Sequence, residues 1–456
     1  MPTSRITVDA IRDCLEGVMP AMVATCAADG TPNVSYVSQV NYVDAQHVAL
    51  TFQFFNKTRE NVLANPRAAV LVVNPKTAAR YRMELQYLRT ETEGPLFESM
   101  KAKLAGIASH TGMTGVFRLR GADVYRVLDI APVAGRVLPA QTPPRNLLAS
   151  LRACAQVFTK SADLAVLLED LLAALAAHFD ITHAMVLMHD APGKRLYTVA
   201  SRGYPQSGVG SEIALGCGVI GVAAEQRTPI RISHMTAEYS YGRAMRESAE
   251  LAGLGARLET AIPLPGLADS RSQLAAPVVA GGALLGVLYV ESPQDMRFTY
   301  DDEDALVALA AQLGMAIRAL QESEAAPGPA AAPEPKATPA GGVPVQVRHF
   351  AADDSVFLGD DYLIKGVAGA ILRKLVADYL REGRTEFTNR ELRLDPSIRL
   401  PDLSDNLEAR LVLLHRRLAE RSGALLLEKS GRGRFRLRVN RPLQLVEVPA
   451  AGARAG

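Results

Sequence analysis

A segment rich in alanine, proline and glycine divides this chain and constrains what it can fold into. From Glu324 to Gly342 the sequence is EAAPGPAAAPEPKATPAGG, which offers no large apolar residue to bury. Such a composition favours an extended, semi-rigid linker. A weaker division precedes the helical pattern that begins near residue 146. The sequence therefore predicts a multidomain protein with units at residues 1–133, 146–322 and 346–447, and a linker at residues 323–345.

Composition and charge limit the possible classes of protein. The chain has 456 residues, which favours about three domains, and a formal net charge of only +2. The whole chain therefore does not have the charge typical of nucleic-acid or membrane binding. No apolar run approaches the roughly 18 residues that span a bilayer. The N-terminal sequence contains acidic residues and lacks the apolar core of a signal peptide. We expect a cytoplasmic protein without a membrane partner.

The cysteines indicate neither a disulfide framework nor a zinc site. No two of the four form a CxxC pair, which fits a reducing compartment. We expect no metal. Cys217 precedes a predicted helix, a position that tends to acidify thiols, although a buried and inert thiol is the simpler interpretation. The four residues are Cys14, Cys26, Cys154 and Cys217.

Residues 50–73 hold the most informative pattern of the first unit. A strand-like run leads into Lys57, Thr58 and Arg59, and Asn65-Pro66 ends the short helix that follows, because a residue before proline disfavours the helical conformation. Two cations and a hydroxyl at the start of a helix suit a phosphate group. The alternative is a surface connection with solvated charges.

Strand-like runs surround this pattern and predict a small β-barrel. Asp29-Gly30 predicts a hairpin turn between the first two runs. An opening helix is predicted at Thr7–Gly17. The predicted strands are Ala21–Ala27, Asn33–Tyr42, His47–Gln53, Ala68–Asn74, Arg80–Thr92 and Gly115–Asp129.

The stretches DGTPNVSYVS and LTFQFFNKTRENVLANPRAAVLVV resemble the flavin-binding split barrel of the pyridoxamine-phosphate-oxidase-like superfamily, over most of residues 5–130. The resemblance implies a homodimer with FMN at the subunit interface and its phosphate held by Lys57, Thr58 and Arg59. A strand that often supplies an Arg and a Lys to this phosphate offers Asn33 and Ser35 here. Heme or a deazaflavin are alternative cofactors. Catalytic residues are not predicted.

The second unit resembles a GAF domain, an α+β module that senses small molecules. The stretches that carry the resemblance are GCGVIGVAAEQRTPIRI, LAAPVVAGGALLGVLYVES and FTYDDEDALVALAAQLGMAI. The resemblance implies a small-molecule ligand and dimerisation through flanking helices such as 147–176 and 301–321. The sequence does not identify the ligand.

The third unit combines a helix (Ala368–Glu382), a short helix with Thr388 as its predicted N-cap, a longer helix (Ser404–Ser422) and a basic hairpin. This series resembles the winged helix-turn-helix of response-regulator effector domains. The resemblance places the 404–422 helix in the major groove of DNA. From residue 346 onward the chain has 20 Lys and Arg against 15 Asp and Glu, so the basic excess lies here.

The predicted DNA contacts lie on two elements of this third unit. The exposed face of the longer helix offers base or phosphate contacts, and the arginines of the hairpin are expected to meet phosphate or the minor groove. Protein binding or dimerisation is the alternative role of a winged helix. The predicted contacts are Asn406, Arg410, Arg416 and Arg417 on the helix, and Arg432, Arg434 and Arg436 in the hairpin.

Together these features predict a flavin-linked or small-molecule-sensing protein of signalling or transcription regulation with a DNA-binding output. The alternative is an FMN-dependent oxidase or reductase with regulatory GAF and winged-helix domains, so enzymatic activity is left open. A scaffold that binds neither flavin nor DNA is a third possibility.

Overall fold

The described residues of the computed structural model form four β-sheets with helices packed on them. At 105–110 and 323–325 only the backbone is described. The structure describes residues 6–17, 19–53, 57–110, 119–139, 146–161, 163–233, 262–325, 343–398, 400, 407–431 and 433–449.

The first unit is built on a seven-stranded antiparallel sheet. Its elements are a 3-10 helix (Asp9–Leu15), β1 (Ala21–Cys26), β2 (Pro32–Val37), β3 (Val40–Asp44), β4 (His47–Phe52), α1 (Lys57–Ala64), β5 (Arg67–Val73), β6 (Arg80–Glu91), α2 (Pro95–His110) and β7 (Gly121–Val133). The strand order is β2-β1-β5-β6-β7-β4-β3. Burial alternates along β1 and β5, so one face of the sheet forms the core.

The first hairpin confirms the predicted turn. Gly30 has a φ of +86°, the backbone N–H of Thr31 donates to the Asp29 carboxylate over 2.9 Å, and Cys26 pairs with Pro32. The prediction of one strand over Asn33–Tyr42 is wrong, because β2 and β3 lie at opposite edges of the sheet. No glycine or proline marks this break, so the apolar pattern alone did not reveal it.

The second unit is a six-stranded antiparallel sheet with helices on both faces. Its elements are α3 (Leu147–Lys160), α4 (Leu164–Phe179), β8 (His183–Asp190), β9 (Arg195–Arg202), β10 (Glu212–Ala214), α5 (Gly218–Gln226), β11 (Ile230–Ile232), β12 (Ser272–Ala280), β13 (Ala283–Ser292) and α6 (Tyr300–Ala325). The strand order is β10-β9-β8-β13-β12-β11. Helices α3, α4 and α6 cover one face, and α5 packs on the other.

The C-terminal unit contains two small sheets and three α-helices among its described residues. Its elements are β14 (Val345–Phe350), β15 (Ser355–Leu358), β16 (Asp361–Ile364), α7 (Gly366–Glu382), β17 (Glu386–Thr388), α8 (Asn389–Leu394), a 3-10 turn (Pro396–Ile398), α9 (Leu407–Arg421), β18 (Leu425–Gly431), β19 (Arg434–Val439) and β20 (Leu443–Val448). The sheets have the orders β16-β15-β14-β20 and β17-β19-β18. The predicted cap is confirmed, since Thr388 accepts the backbone N–H of Glu391 over 3.2 Å.

The first two units meet through a buried polar cluster. Arg231 of β11 is 1% exposed and pairs with Glu16 over 2.5 Å and with Glu303 over 2.7 Å. Its guanidinium also lies 4.2 Å from the ring centre of Tyr300. Tyr300, at the start of α6, belongs to the apolar core of the first unit. These contacts fix the first unit against the N-terminal end of α6.

The second and third units share one continuous apolar core. It joins α4 and β9 of the second unit to α7 and α9 of the third, and α9 also contacts α4 and β9 directly. Interfaces between the domains of one chain are usually more polar than this shared core. The second and third units therefore pack against each other as the parts of a single domain do. None of the described helices is long and apolar enough to cross a membrane.

Candidate functional site

The candidate cofactor site lies where α1 packs on β1 and β2. The hydroxyl of Thr58, in the first turn of α1, lies 2.7 Å from the hydroxyl of Ser35 and accepts a hydrogen bond from the Asn33 amide over 3.0 Å. Thr25, on β1, accepts from the amides of Asn33 and Asn61. The fold thus brings together three of the predicted cofactor residues, which we call the hydroxyl–amide cluster (Asn33, Ser35 and Thr58).

Lys57 and Arg59 flank Thr58 in sequence but point to different surroundings, because consecutive helical residues are turned by about 100°. Lys57 is exposed at the start of α1. Hydrogen bonds from Thr31 and, more weakly, the charge of Lys57 lower the pKa of Asp29, so Lys57 lies near the β1–β2 turn. Lys57, which directly precedes Thr58 in the first turn of α1, is therefore an exposed cation on the side of the β1–β2 turn.

Arg59 lies inside the first unit. It donates to Asp123 of β7 over 2.5 Å and to Thr90 of β6 over 2.8 Å, and its guanidinium lies 4.7 Å from the ring centre of Phe52. The side chains of Arg59 and Asp123 are 12% and 9% exposed. Burial raises the pKa of the Asp123 carboxyl, although Arg59 opposes this shift. Arg59 therefore neutralises an internal carboxylate, and the three consecutive residues do not converge on one point.

Sequence reasoning missed a group of buried polar side chains at the β3–β4 end of the sheet. Gln39 is 1% exposed, and neither its amide nitrogen nor its amide oxygen has a hydrogen-bond partner among the residues that the structure describes. The buried hydroxyl of Thr51 likewise has no partner within the described part of the chain, and Gln53 donates to Ser38 over 2.9 Å. Polar groups left unpaired inside a protein are costly, which points to a ligand or water at this place. The only signal in the sequence was polar residues at the ends of two apolar strands.

The side chains around the start of α1 fit a phosphate monoester. They would hold it with hydroxyl and amide donors and one lysine, rather than with several cations. Hydroxyl and amide groups of the hydroxyl–amide cluster can donate to phosphate oxygens, and Lys57 supplies positive charge at the N-terminus of α1. The amide of Gln39 and the hydroxyl of Thr51, which bind no other described residue, add polar groups that a cofactor ring can satisfy. These residues are compatible with FMN.

Of the arginines predicted on the exposed face of the 404–422 helix, Arg410 and Arg416 are turned toward the second unit, and Arg417 binds to β16 of its own unit. Arg410 and Arg417 are 5% and 3% exposed, so the expectation of an exposed face is wrong for them. Arg410 donates to Asp190, Arg416 donates to the carbonyl of Val199 over 2.7 Å, and Arg417 donates to the carbonyl of Leu363. The physical reason is that one side of α9 packs on the rest of the C-terminal unit and the other side packs on the second unit. Asn406 lies outside the described residues.

The hairpin arginines share one strand face, as the period of two predicts. Arg434, Arg436 and Arg438 alternate along β19 with the buried residues Phe435 and Leu437. Two of these arginines form ion pairs within the same small sheet, Arg436 with Glu386 and Arg438 with Glu428. Arg432 lies outside the described residues.

The face of the second sheet that carries α5 contains a buried carboxylate. Glu291 of β13 is 2% exposed and accepts hydrogen bonds from the backbone of Leu267 over 3.0 Å and from the hydroxyl of Tyr289 over 3.3 Å. Gln273 and His183 lie beside it on neighbouring strands. Cys217, for which a buried thiol was the simpler expectation, is exposed at the N-terminus of α5, so that expectation is wrong.

Two family models match the chain. The model described as pyridoxamine 5'-phosphate oxidase matches residues 7–137, and the GAF domain model matches residues 163–317. An uncharacterized protein of Methanocaldococcus jannaschii is 30% identical over 118 residues, which are 23% of this chain and 77% of that protein.

Solved structures similar to parts of the chain include the GAF domain of an Acinetobacter phosphoenolpyruvate-protein phosphotransferase. It is 23% identical over 40% of this chain and 96% of that chain, with a TM-score of 0.30. An FMN-binding protein from Syntrophomonas wolfei is 17% identical over 27% of this chain and 84% of that chain, with a TM-score of 0.24. The chain thus contains a pyridoxamine 5'-phosphate oxidase-type domain and a GAF domain, and it belongs to the same family as the Methanocaldococcus jannaschii protein.

Proposed function

We propose that this chain is a sensor of signalling or transcription regulation that binds FMN in its first domain, a small molecule in its GAF domain, and DNA through its C-terminal unit. A pyridoxamine 5'-phosphate oxidase-type domain together with a GAF domain fits a sensory or flavin-binding protein. The observation that carries the proposal is the hydroxyl–amide cluster at the start of α1, where Lys57 directly precedes Thr58.

In this proposal the phosphate of FMN is held by Asn33, Ser35, Thr58 and Lys57. Arg59 acts indirectly, because its ion pair with Asp123 fixes α1 against β6 and β7. When bound, the flavin supplies reversible redox chemistry, so that a redox state can be sensed. The ring would lie toward the polar groups of Gln39 and Thr51, which have no partner among the described residues.

An absorption spectrum of the purified chain tests the flavin proposal. We expect near-ultraviolet and blue flavin bands, either as purified or after incubation with FMN and gel filtration. A protein that stays colourless after incubation with excess FMN would contradict the proposal. Reconstitution with heme under the same conditions separates the alternative cofactor.

The alternative function is that of an FMN-dependent oxidase or reductase. The observation in its favour is the match of the first domain to the pyridoxamine 5'-phosphate oxidase model. Steady-state oxidation of pyridoxamine 5'-phosphate by the FMN-loaded chain would establish this function. A flavin that changes redox state without turnover favours the sensor.

We propose that the C-terminal unit is a winged helix that binds DNA. The order of α7, β17, α8, α9 and the β18–β19 hairpin supports this interpretation, as do the three arginines on one face of β19. Electrophoretic mobility shift with DNA from upstream of the gene tests it, using Arg434→Ala, Arg436→Ala and Arg438→Ala together. Binding that survives this triple substitution would contradict the role of the hairpin.

We also propose a homodimer. Large apolar side chains exposed on β1 and β2 support it, since exposed apolar patches mark contact surfaces. Val34 and Tyr36 of β2 are 68% and 76% exposed, and Met22, which pairs with Tyr36, is 37% exposed. On α6 the exposed residues Val307 and Met315 offer a second apolar surface.

A further inference from the structure

Five alternating charges connect α9 and the start of α7 to the GAF domain. Arg410 Nη2 lies 2.9 Å from Asp190, and Arg195 lies 2.9 Å from the other oxygen of the same carboxylate. Arg195 also pairs with Glu212 over 3.0 Å, and Glu212 pairs with Lys365 over 2.9 Å. We call Arg410, Asp190, Arg195, Glu212 and Lys365 the interdomain ion-pair network. Both of its ends belong to the C-terminal unit, and its middle belongs to the GAF domain.

Arg416, which lies between one and two turns further along α9, forms a second set of contacts. Val199 is the extra residue of a β-bulge between β8 and β9, and its carbonyl accepts from Arg416 over 2.7 Å. The same guanidinium pairs with Glu169 of α4 over 3.0 Å. Glu169 is 69% exposed at its side chain, whereas Arg416 is 15% exposed. The GAF domain thus presents acceptors to both arginines.

These acceptors occupy the groups that a nucleic acid would need. Arginines bind DNA by donating to phosphate oxygens and base edges. In this structure Arg410 donates to Asp190, and Arg416 donates to Glu169 and Val199. Carboxylates on the GAF domain therefore stand where phosphates would stand, and α9 cannot reach a DNA groove without leaving the GAF domain.

We propose that the GAF domain holds α9 in a closed state, in which its carboxylates compete with duplex DNA for Arg410 and Arg416, and that DNA binding requires release of this contact. The part of the proposal that concerns DNA rests on the proposed DNA-binding function. The occupant of this GAF surface is α9 of the same chain, and the competing partner is duplex DNA. The open state exposes both arginines, whereas the closed state keeps them from solvent.

The position of Asp190 connects the closed state to the face of the GAF sheet that carries α5, where we place the small-molecule ligand. Asp190 is the last residue of β8. Met185 and Leu187 of the same strand belong to the apolar cluster under α5, on the face opposite to that of helices α4 and α6. A ligand that shifts β8 from that face changes the place of Asp190 and, with it, the stability of the closed state. A small-molecule signal would thereby bias the population of the two states.

The test uses full-length variants on the GAF side, so that α9 itself stays unchanged. Asp190→Asn leaves Arg410 and Arg195 facing each other without a carboxylate between them. Glu169→Lys places a cation beside Arg416. Asp170→Lys is the matched control, since it makes the same charge change one position further on α4, at an exposed residue. Circular dichroism and thermal unfolding show which variants remain folded.

Two measurements are made on each variant. Amide hydrogen exchange of residues 407–421 reports opening of α9, and fluorescence anisotropy reports binding to a random-sequence duplex of about 20 base pairs, long enough for a basic domain. We expect Asp190→Asn to accelerate exchange and tighten duplex binding about tenfold, the effect of losing a charged hydrogen bond. We expect Glu169→Lys to tighten duplex binding about threefold, because Glu169 is the exposed partner of its ion pair with Arg416. Asp170→Lys should change duplex binding only by the effect of its added charge.

The outcomes separate the closed state from the DNA-binding function. Unchanged exchange of α9 in folded Asp190→Asn and Glu169→Lys variants would overturn the closed state. Faster exchange without duplex binding by any variant would support the closed state and overturn the proposed DNA-binding function. Equal tightening of duplex binding by Glu169→Lys and Asp170→Lys would show that added charge alone is responsible, and would overturn the competition.

Discussion

Arg410 of α9 donates a hydrogen bond to Asp190 of β8 over 2.9 Å, although the two residues lie 220 positions apart in the chain. Their side chains are only 6% and 7% exposed. The guanidinium of Arg410 also lies 4.2 Å from the ring centre of Tyr197. A buried ion pair of this kind is strongly destabilising when one partner is removed, because the other charge stays behind.

The Arg410–Asp190 pair couples the stability of the C-terminal unit to the GAF domain. We expect Asp190→Ala to reduce the coupling free energy by about 3 kcal/mol, because it leaves Arg410 without its carboxylate. Arg410→Met is expected to cost less, because Asp190 keeps its contact with Arg195. Differential scanning calorimetry should show a separate, lower transition for the C-terminal unit in Asp190→Ala. A single unshifted transition in both variants would contradict this coupling.

The hydroxyl of Thr58 should matter for the phosphate of FMN. We expect Thr58→Val to weaken FMN binding about fivefold, since loss of one hydrogen bond costs about 1 kcal/mol. Riboflavin lacks the phosphate, so its affinity should not change. Thr58→Ser keeps the hydroxyl and serves as the matched control. Fluorescence titration with both flavins measures these affinities, and an equal loss for riboflavin would place Thr58 away from the phosphate.

Arg59 and Lys57 should differ in their effect on stability. We expect Arg59→Met to lower the free energy of unfolding by about 3–5 kcal/mol, because it leaves the buried Asp123 carboxylate without its cation. Lys57→Met, at an exposed position two residues earlier, should change it by less than about 0.5 kcal/mol. Urea denaturation measures both. Protonation of Asp123 relieves the loss, so the effect of Arg59→Met should lessen toward acidic pH.

Lys103 of α2 should give the contact between the first two domains a pH dependence. Burial, followed by the nearby charge of Arg231, lowers the pKa of Lys103 to about 8 from 10.5. Between these values the unfolded chain binds more protons than the folded one. The contribution of Lys103 to the free energy of unfolding should therefore rise with pH from about 8, by at most about 1.4 kcal/mol per pH unit.

The difference between wild type and Lys103→Met isolates this contribution from other groups. The buried thiol of Cys154 opposes this rise in the free energy of unfolding above pH 9, because burial raises its pKa to about 11. Lys101→Met is the matched control, since Lys101 lies on the same helix and is exposed at 57% of its side chain. Denaturation at pH 7.5 to 9 measures the slope. Equal slopes for wild type and Lys103→Met would contradict the lowered pKa.

The apolar residues on β2 should control self-association. We expect Val34→Ser with Tyr36→Ser to weaken the proposed homodimer at least tenfold, because loss of two large apolar contacts exceeds about 1.4 kcal/mol. Leu380→Ser, at an exposed residue of α7, is the control. Sedimentation equilibrium measures the dimerisation constant. A monomeric wild type would contradict the dimer, and an unaffected double variant would exclude this surface.

Local sequence patterns predicted many elements correctly. The Asp29-Gly30 turn and the Thr388 cap follow from rules that act over a few residues. The break between β2 and β3 was missed because no glycine or proline marks it, although the alternation of polar and apolar residues is interrupted at Tyr36-Val37 and at Ser38-Gln39. Helix α2 was not placed either, although it packs between the first domain and β11.

The sequence by itself determined the order of the units and most of the strands and helices, because hydrophobic periodicity and turn residues act locally. Only the tertiary structure decided where the charged groups act. It turned Arg59 toward Asp123 and left Thr58 with Ser35 and Asn33. It also buried Arg410 on the GAF domain. These contacts join distant parts of the chain, and their geometry depends on how whole units pack, which no local pattern encodes.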